Sequence, residues 1–337
     1  MSSTRLKVLD GWRGISIALV LLGHLLPIGP KAWQLNVAVA GAGMAIFFTL
    51  SGFLITSVLL RDADVRRFLI HRAARILPLA WLAMLLMLAY QGADANRYPP
   101  HLLFYANEVR AGLTNGTGHL WSLCVEVQFY VFVALLVATL GRRALFLLPL
   151  LALLVTAVRV FSHVPMAIDT QYRVDEILAG CSLALAWGTR RPWFDRAWLG
   201  WTSLVAAPLL VLSSHPAWEW LNYVRPYIAA AMVGCTLGLG VAHPVRRWLS
   251  VRPLGYLATV SYALYVVHGC LADTWLGSGD KEIKYLKRPL LFLATFALAH
   301  LSTRYYERFF IDMGHRWAGV TRRAAEVQVA NSVHDSQ

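Results

Sequence analysis

The 337-residue chain is 58% hydrophobic and only 15% charged, and its 31 Lys and Arg outnumber 18 Asp and Glu for a net charge of +13. Soluble domains carry about 25% charged residues, so the composition excludes an ordinary soluble enzyme and indicates an all-α, polytopic integral membrane protein. A strong positive balance can signal nucleic acid, but here the basic residues follow a topological pattern, and no nucleic-acid partner is expected.

Apolar runs of about 17 to 25 residues are spanning candidates. Ten occur in order, at 9–28, 37–60, 76–92, 120–140, 144–161, 173–188, 197–213, 226–243, 255–275 and 289–310. The first is not read as a cleavable signal, because Arg13 lies inside it and no small-x-small site follows. With the N-terminus in the cytoplasm, more than half of the 31 basic residues fall on inner segments, which predicts both termini inside. The last outer loop, with Lys281, Lys284, Lys287 and Arg288, breaks that rule and suits an anionic surface or substrate. The transmembrane unit is expected over 1–310. The polar tail, 311–337, lacks apolar periodicity and is expected to be mobile. Cys124, Cys181, Cys235 and Cys270 all sit in apolar stretches, which favours packed thiols over disulfides.

Polar residues inside spans are costly and mark functional sites. In the first span Arg13 and His24 are eleven residues apart, so at about 100° per residue they share a helical face, roughly 16 Å apart along the axis. Asp10, three residues before Arg13, can pair with it. In the second span Ser51-Gly52 interrupts Phe47-Phe48-Thr49-Leu50, either as a packing notch or as a gap that admits a substrate. An inner loop on a short helix follows, Arg66-Arg67-Phe68-Leu69-Ile70-His71-Arg72-Ala73-Ala74-Arg75. Arg72 and Arg75 can grip one phosphate from one side; topological loading or anionic lipid headgroups are the other uses of such a run.

The fourth span opens with His119, Trp121, Ser122 and Glu126. His119, Ser122 and Glu126 are spaced i, i+3, i+7 on one face. A carboxyl two turns inside the membrane must be paired or protonated. Glu126 could orient the imidazole of His24, bind a hydroxyl, or pair with an Arg. The sixth span begins with Arg173, Asp175 and Glu176, where Arg173 and Glu176 can pair. In the ninth, Ser261, Tyr265 and His268 share a face. Near the end, Arg304, Glu307 and Arg308 form a cluster at the inner surface. The sequence has no P-loop, no dinucleotide fingerprint, no H-E-x-x-H and no nucleophile elbow. Eleven His are scattered without ligand spacing, so no metal is expected.

Taken in order, these segments resemble acyltransferase family 3, membrane enzymes that O-acylate surface carbohydrates and some small molecules. The resemblance rests on Leu9-Asp10-Gly11-Trp12-Arg13-Gly14 with His24, Phe48-x-Leu50-Ser51-Gly52-Phe53, and Arg72-x-x-Arg75-Ile76-x-Pro78. His119-x-Trp121-Ser122-Leu123-x-x-Glu126 and Ser261-Tyr262-x-x-Tyr265-x-x-His268 complete it. Trp81 and Val127 depart from residues common in the family, Tyr and a second acid. Some members carry a fused extracytoplasmic hydrolase-like domain, and none is expected here. The resemblance implies an O-acyltransferase of the bacterial cytoplasmic membrane. It would move an acyl group, most simply acetyl, from acyl-CoA to a hydroxyl of an extracytoplasmic or lipid-linked saccharide. It implies no permanent cofactor. His24, Arg13, Glu126 and Asp10 are then the catalytic candidates. Arg72, Arg75, Ser51 and Gly52 are the donor-binding candidates. His119, Trp121, Ser122, Arg173, Asp175, Tyr265 and His268 are the acceptor-binding candidates. Acylation of a small molecule such as a macrolide, and transport of an anionic or lipid-linked solute, are the alternatives. Paired broken helices, the mark of many transporters, are not evident.

Overall fold

A computed structural model describes residues 3–189 and 196–319, and it is all-helical among them. The helices are α1 (Ser3–Leu25), α2 (Leu35–Arg61), α3 (Val65–Tyr90), α4 (Tyr98–Leu102), α5 (Trp121–Leu140), α6 (Leu148–Phe161) and α7 (Thr170–Arg173). Then follow α8 (Asp175–Gly188), α9 (Trp198–Ser213), α10 (Glu219–Leu237), α11 (Pro244–Leu249), α12 (Arg252–Ala272), α13 (Lys281–Leu286) and α14 (Arg288–Leu301). Every predicted span is helical over most of its length. Among the described residues six helical segments are long and apolar enough to cross a membrane: Lys7–Leu25, Leu35–Arg61, Val65–Tyr90, Gly118–Leu140, Arg142–Phe161 and Arg252–Ala272. Their outer faces expose Leu86, Leu135, Leu150 and Leu153, which water would penalise and lipid accepts.

Two expected boundaries move. The arginine-rich stretch is not a loop with a short helix but the first turns of α3. Asp64 caps that helix by accepting from the Arg67 amide at 2.9 Å, and the Arg, Leu, Ile and Ala that follow are competent helix formers. The last helix passes through a π-helical turn at Ser302–Glu307 and runs on to 319. Residues 320–337, most of the expected tail, lie outside the described residues, as do Arg190 and Arg191.

At the centre α2 packs along α1 on one side and α8 on the other, and α12 packs along α1. These crossings are close because glycine sits at each. Ser16 of α1 donates to the Gly43 carbonyl of α2 at 2.8 Å. Gly52 of α2 faces the Ile177 carbonyl of α8, and Gly180 of α8 faces the Thr49 carbonyl of α2. A Cβ on either glycine would collide with backbone. Gly52 is therefore the packing notch of the two readings, and it lines no cavity described below, against its assignment to the donor.

Candidate active site

Two cavities enter the bundle from opposite ends of α1. One, about 70 Å³, is lined by Arg13, Arg72, Arg75, Ser51, Glu126 and Tyr130. It continues along Ser16, Ile17 and Val20 of α1. The other, about 700 Å³, is lined by His24, Asn36, His119, Trp121, Tyr172, Arg173 and Arg225. Met44 and Tyr265 line both, so the partition between them is one side chain thick. Val20 is one helical turn, about 5.4 Å, from His24. The shared stripe of Arg13 and His24 thus runs from one cavity to the other.

The arginine cavity is held by a compact polar cluster. Glu126 Oε1 accepts from the hydroxyls of Ser51 and of Tyr130, the latter at 2.5 Å. The Arg72 guanidinium lies 5.3 Å from the Tyr130 ring centre and 5.7 Å from that of Phe68, a stacking that fixes its long side chain. Glu126 is therefore neither the partner of His24 nor a hydroxyl ligand in the histidine cavity. Seven residues of rise carry it about 10 Å from position 119, across the partition and onto the side where Arg13, Arg72 and Arg75 gather. Asp10 pairs with Arg13 at 3.9 Å as its spacing predicted. It lines a third cavity, about 570 Å³, with Arg75, Arg304, Glu307 and Arg308, and that cavity does not reach His24. Arg13 and Arg75 line both spaces, so the third cavity adjoins the arginine cavity.

Three imidazoles cluster at the histidine cavity; His24 and His119 line it, and His268, expected to bind the acceptor, is buried behind them. The ring centres of His24 and His268 are 5.2 Å apart, and those of His119 and His268 are 4.9 Å apart. His268 Nδ1 faces the carbonyl oxygens of Tyr265 and Leu264 at 2.7 and 3.1 Å, so it carries the proton and donates. In the neutral ring Nε2 is then an acceptor. It lies 3.2 Å from His24 Nδ1, which must donate. His24 Nε2 is left with a bare lone pair. His119 Nε2 donates to the Val266 carbonyl at 3.0 Å, and its Nδ1 is buried without a partner.

Ser122 departs from its expected place. It is fully buried and bonds the Tyr265 hydroxyl at 2.5 Å, on the arginine side of the partition. The Tyr265 hydroxyl in turn donates to the His119 carbonyl, so Ser122 and Tyr265 brace the partition rather than offering hydroxyls to the histidine cavity. Asp175 is also withdrawn. It pairs with Arg159 in a wholly buried contact and lines neither cavity. Arg173 does reach the histidine cavity, 3.4 Å from Glu176 as its spacing predicted. The sequence reading missed Arg225, whose Nε donates to the same Glu176 oxygen at 2.6 Å. Its one signal was a charged residue just before the apolar part of its span, three residues after Asn222.

The family model described as "Acyltransferase domain", that of acyltransferase family 3, matches residues 6–304. The chain belongs to acyltransferase family 3. Membership places it among acyl-transferring enzymes and, with its apolar helices, among multi-pass membrane proteins. It is 29% identical over 316 residues to YrhL of Bacillus subtilis (strain 168), provisionally named a peptidoglycan O-acetyltransferase, covering 77% of this chain and 47% of that one. It is 25% identical over 346 residues to the peptidoglycan O-acetyltransferase OatA of Listeria monocytogenes, covering 89% and 54%. The chain spans about half the length of these curated relatives. No solved structure matches it significantly.

Proposed function

We propose that the chain is an O-acyltransferase of the bacterial cytoplasmic membrane, with ten spans over 1–310 and both termini in the cytoplasm. It moves an acetyl group from cytoplasmic acyl-CoA to a hydroxyl of an extracytoplasmic or lipid-linked saccharide. The observation that carries this is the pair of cavities, arginines in one and His24 in the other, meeting across Met44 and Tyr265. The inner excess of basic residues assigns the arginine cavity to the cytoplasm. The printed names of the two relatives make peptidoglycan the first acceptor to test.

The donor offers phosphates and a thin pantetheine arm. Arg304 and Arg308 at the third cavity, then Arg13, Arg72 and Arg75, supply charge-assisted donors for phosphate oxygens. The arm enters along Ser16, Ile17 and Val20 and brings the thioester to the partition. From the other side the acceptor hydroxyl meets His24 Nε2, whose lone pair takes its proton as the oxygen attacks the thioester carbonyl. The new C–O ester bond forms, the C–S bond breaks, and the thiolate withdraws on the arginine side, where cations stabilise it. The proton on His24 then neutralises the thiolate or leaves by the histidine cavity. An acyl-histidine route uses the same nitrogen.

The test is reconstitution. Purified protein in vesicles, given radiolabelled acetyl-CoA on the cytoplasmic side, transfers label to peptidoglycan fragments or lipid-linked sugar on the other. No acyl-CoA consumption under any acceptor, with binding intact, would favour a carrier.

A further inference from the structure

One wall of the histidine cavity is backed by buried charge that the proposed chemistry does not use. Three guanidiniums, of Arg159, Arg173 and Arg225, are buried there with two carboxylates, of Asp175 and Glu176. Arg159 is matched to Asp175. Arg173 and Arg225 share Glu176, both through its Oε1. One positive charge in this buried set has no counter-charge, and burying an uncompensated charge is strongly unfavourable.

The two guanidiniums that share one carboxylate stand at the cavity. Arg173 and Arg225 both line it, at 5% and 0% exposure. Arg173 Nε and Arg225 Nη2 are buried without hydrogen-bond partners. Neither side chain is loose. Arg225 Nη1 donates to Asn222 at 3.0 Å, and the Arg173 guanidinium lies 5.2 Å from the Trp121 ring centre. Two fixed guanidiniums from different helices, with donors to spare, are arranged for a planar oxyanion. Asp169, half-buried on the same lining, suits hydroxyl donors rather than anions.

We propose that Arg173 and Arg225 form an oxyanion subsite for a carboxylate or phosphate carried by the acceptor saccharide, turning its hydroxyl toward His24. The inference rests on the acceptor assignment above and narrows it to acidic sugars. Size argues the same way: a cavity of about 700 Å³ admits a sugar.

Binding and turnover test it separately, using the full chain in detergent. Thermal protection is measured with glucose, glucuronate and glucose 1-phosphate, against wild type and the Arg173→Gln, Arg225→Gln and more conservative Arg173→Lys and Arg225→Lys variants. The expected result is protection by at least one anionic sugar and not by glucose. Which of the two protects identifies carboxylate or phosphate. The Gln variants lose that protection and the Lys variants keep part of it, which separates lost recognition from lost folding. In transfer assays a carboxylate acceptor has a KM about ten-fold below its neutral methyl ester, or a phosphate acceptor about ten-fold below the uncharged sugar, the size of one charge-assisted contact, and the Gln variants bring that ratio close to one. Equal protection by glucose and the acidic sugars, or variants that weaken both acceptors equally, would overturn the subsite. Anion-dependent protection without acyl transfer to any acceptor would retain the subsite and overturn the transferase reading instead.

Discussion

The His24 and His268 rings lie 27° from parallel with Nδ1 of the first 3.2 Å from Nε2 of the second. Because the other nitrogen of His268 is committed to backbone carbonyls, this contact leaves Nε2 of His24 as the free base. His24→Ala should then remove transfer by about 10²- to 10⁴-fold, the usual worth of a general base, with insertion intact. His268→Ala should lower kcat and leave the KM for acyl-CoA unchanged, since His268 acts through His24. His268→Gln, whose side-chain carbonyl can accept from His24 Nδ1, should recover part of the loss. Steady-state kinetics of the three variants decide it. A His268→Ala enzyme with wild-type kcat would show that the tautomer needs no such partner.

The arginines of the other cavity should behave differently. Arg72→Ala and Arg75→Ala should each raise the KM for acyl-CoA about ten-fold, the size of one charge-assisted contact. Arg72→Lys should recover less than charge alone suggests, because lysine cannot stack on Tyr130 and Phe68 as the planar guanidinium does. Donor titrations on purified variants measure this. A loss of kcat at constant KM would assign the pair to assembly.

Much of this was legible in the sequence, for reasons that also show where legibility ended. Apolar runs marked the helices, because length and hydropathy alone set them. The start of α3 was hidden because four arginines read as a loop, and the Asp64 cap that begins the helix is a subtler signal. Helical spacing put His119, Ser122 and Glu126 on one face; Ser122 and Glu126 are in α5 and His119 is in the 3₁₀ turn before it. It could not say that the partition cuts that face, leaving His119 on one side and Glu126 on the other. The His24 and His268 contact joins residues 244 apart in sequence, and Arg225 meets Glu176 across two helices. No local pattern encodes such pairs.

The α2–α8 crossing makes a prediction about stability alone. Gly52→Ala and Gly180→Ala each place a methyl against a facing carbonyl, so each should cost about 1–3 kcal/mol by overpacking. The two clashes relieve each other once the helices separate, so the double variant should cost less than the sum. Gly188→Ala, where a Cβ meets no atom within 4 Å, is the control and should change little. Thermal unfolding in detergent compares them. A Gly52→Ala protein as stable as the control, yet with a raised KM for the donor, would return Gly52 to the donor path.

Sidedness is the claim on which the mechanism depends. His24 is exposed, and the surface it exposes is the wall of the histidine cavity. Arg75 lines the arginine cavity and its neighbouring portal. In a background lacking Cys124, Cys181, Cys235 and Cys270, His24→Cys should react with small impermeant thiol reagents added outside the cell. Arg75→Cys should react only from the cytoplasmic face of inverted vesicles, and acyl-CoA should slow it by occupying the cavity. The 276–287 loop should be labelled from outside and residues 61–75 from the cytoplasm, which calibrates both faces in the same membranes. Reaction of His24→Cys from the cytoplasm alone would reverse the assignment of the cavities. Inertness from both faces, with insertion verified, would make residue 24 a sealed helix contact, and a base cut off from any hydroxyl or water could not take the proton the reaction must release.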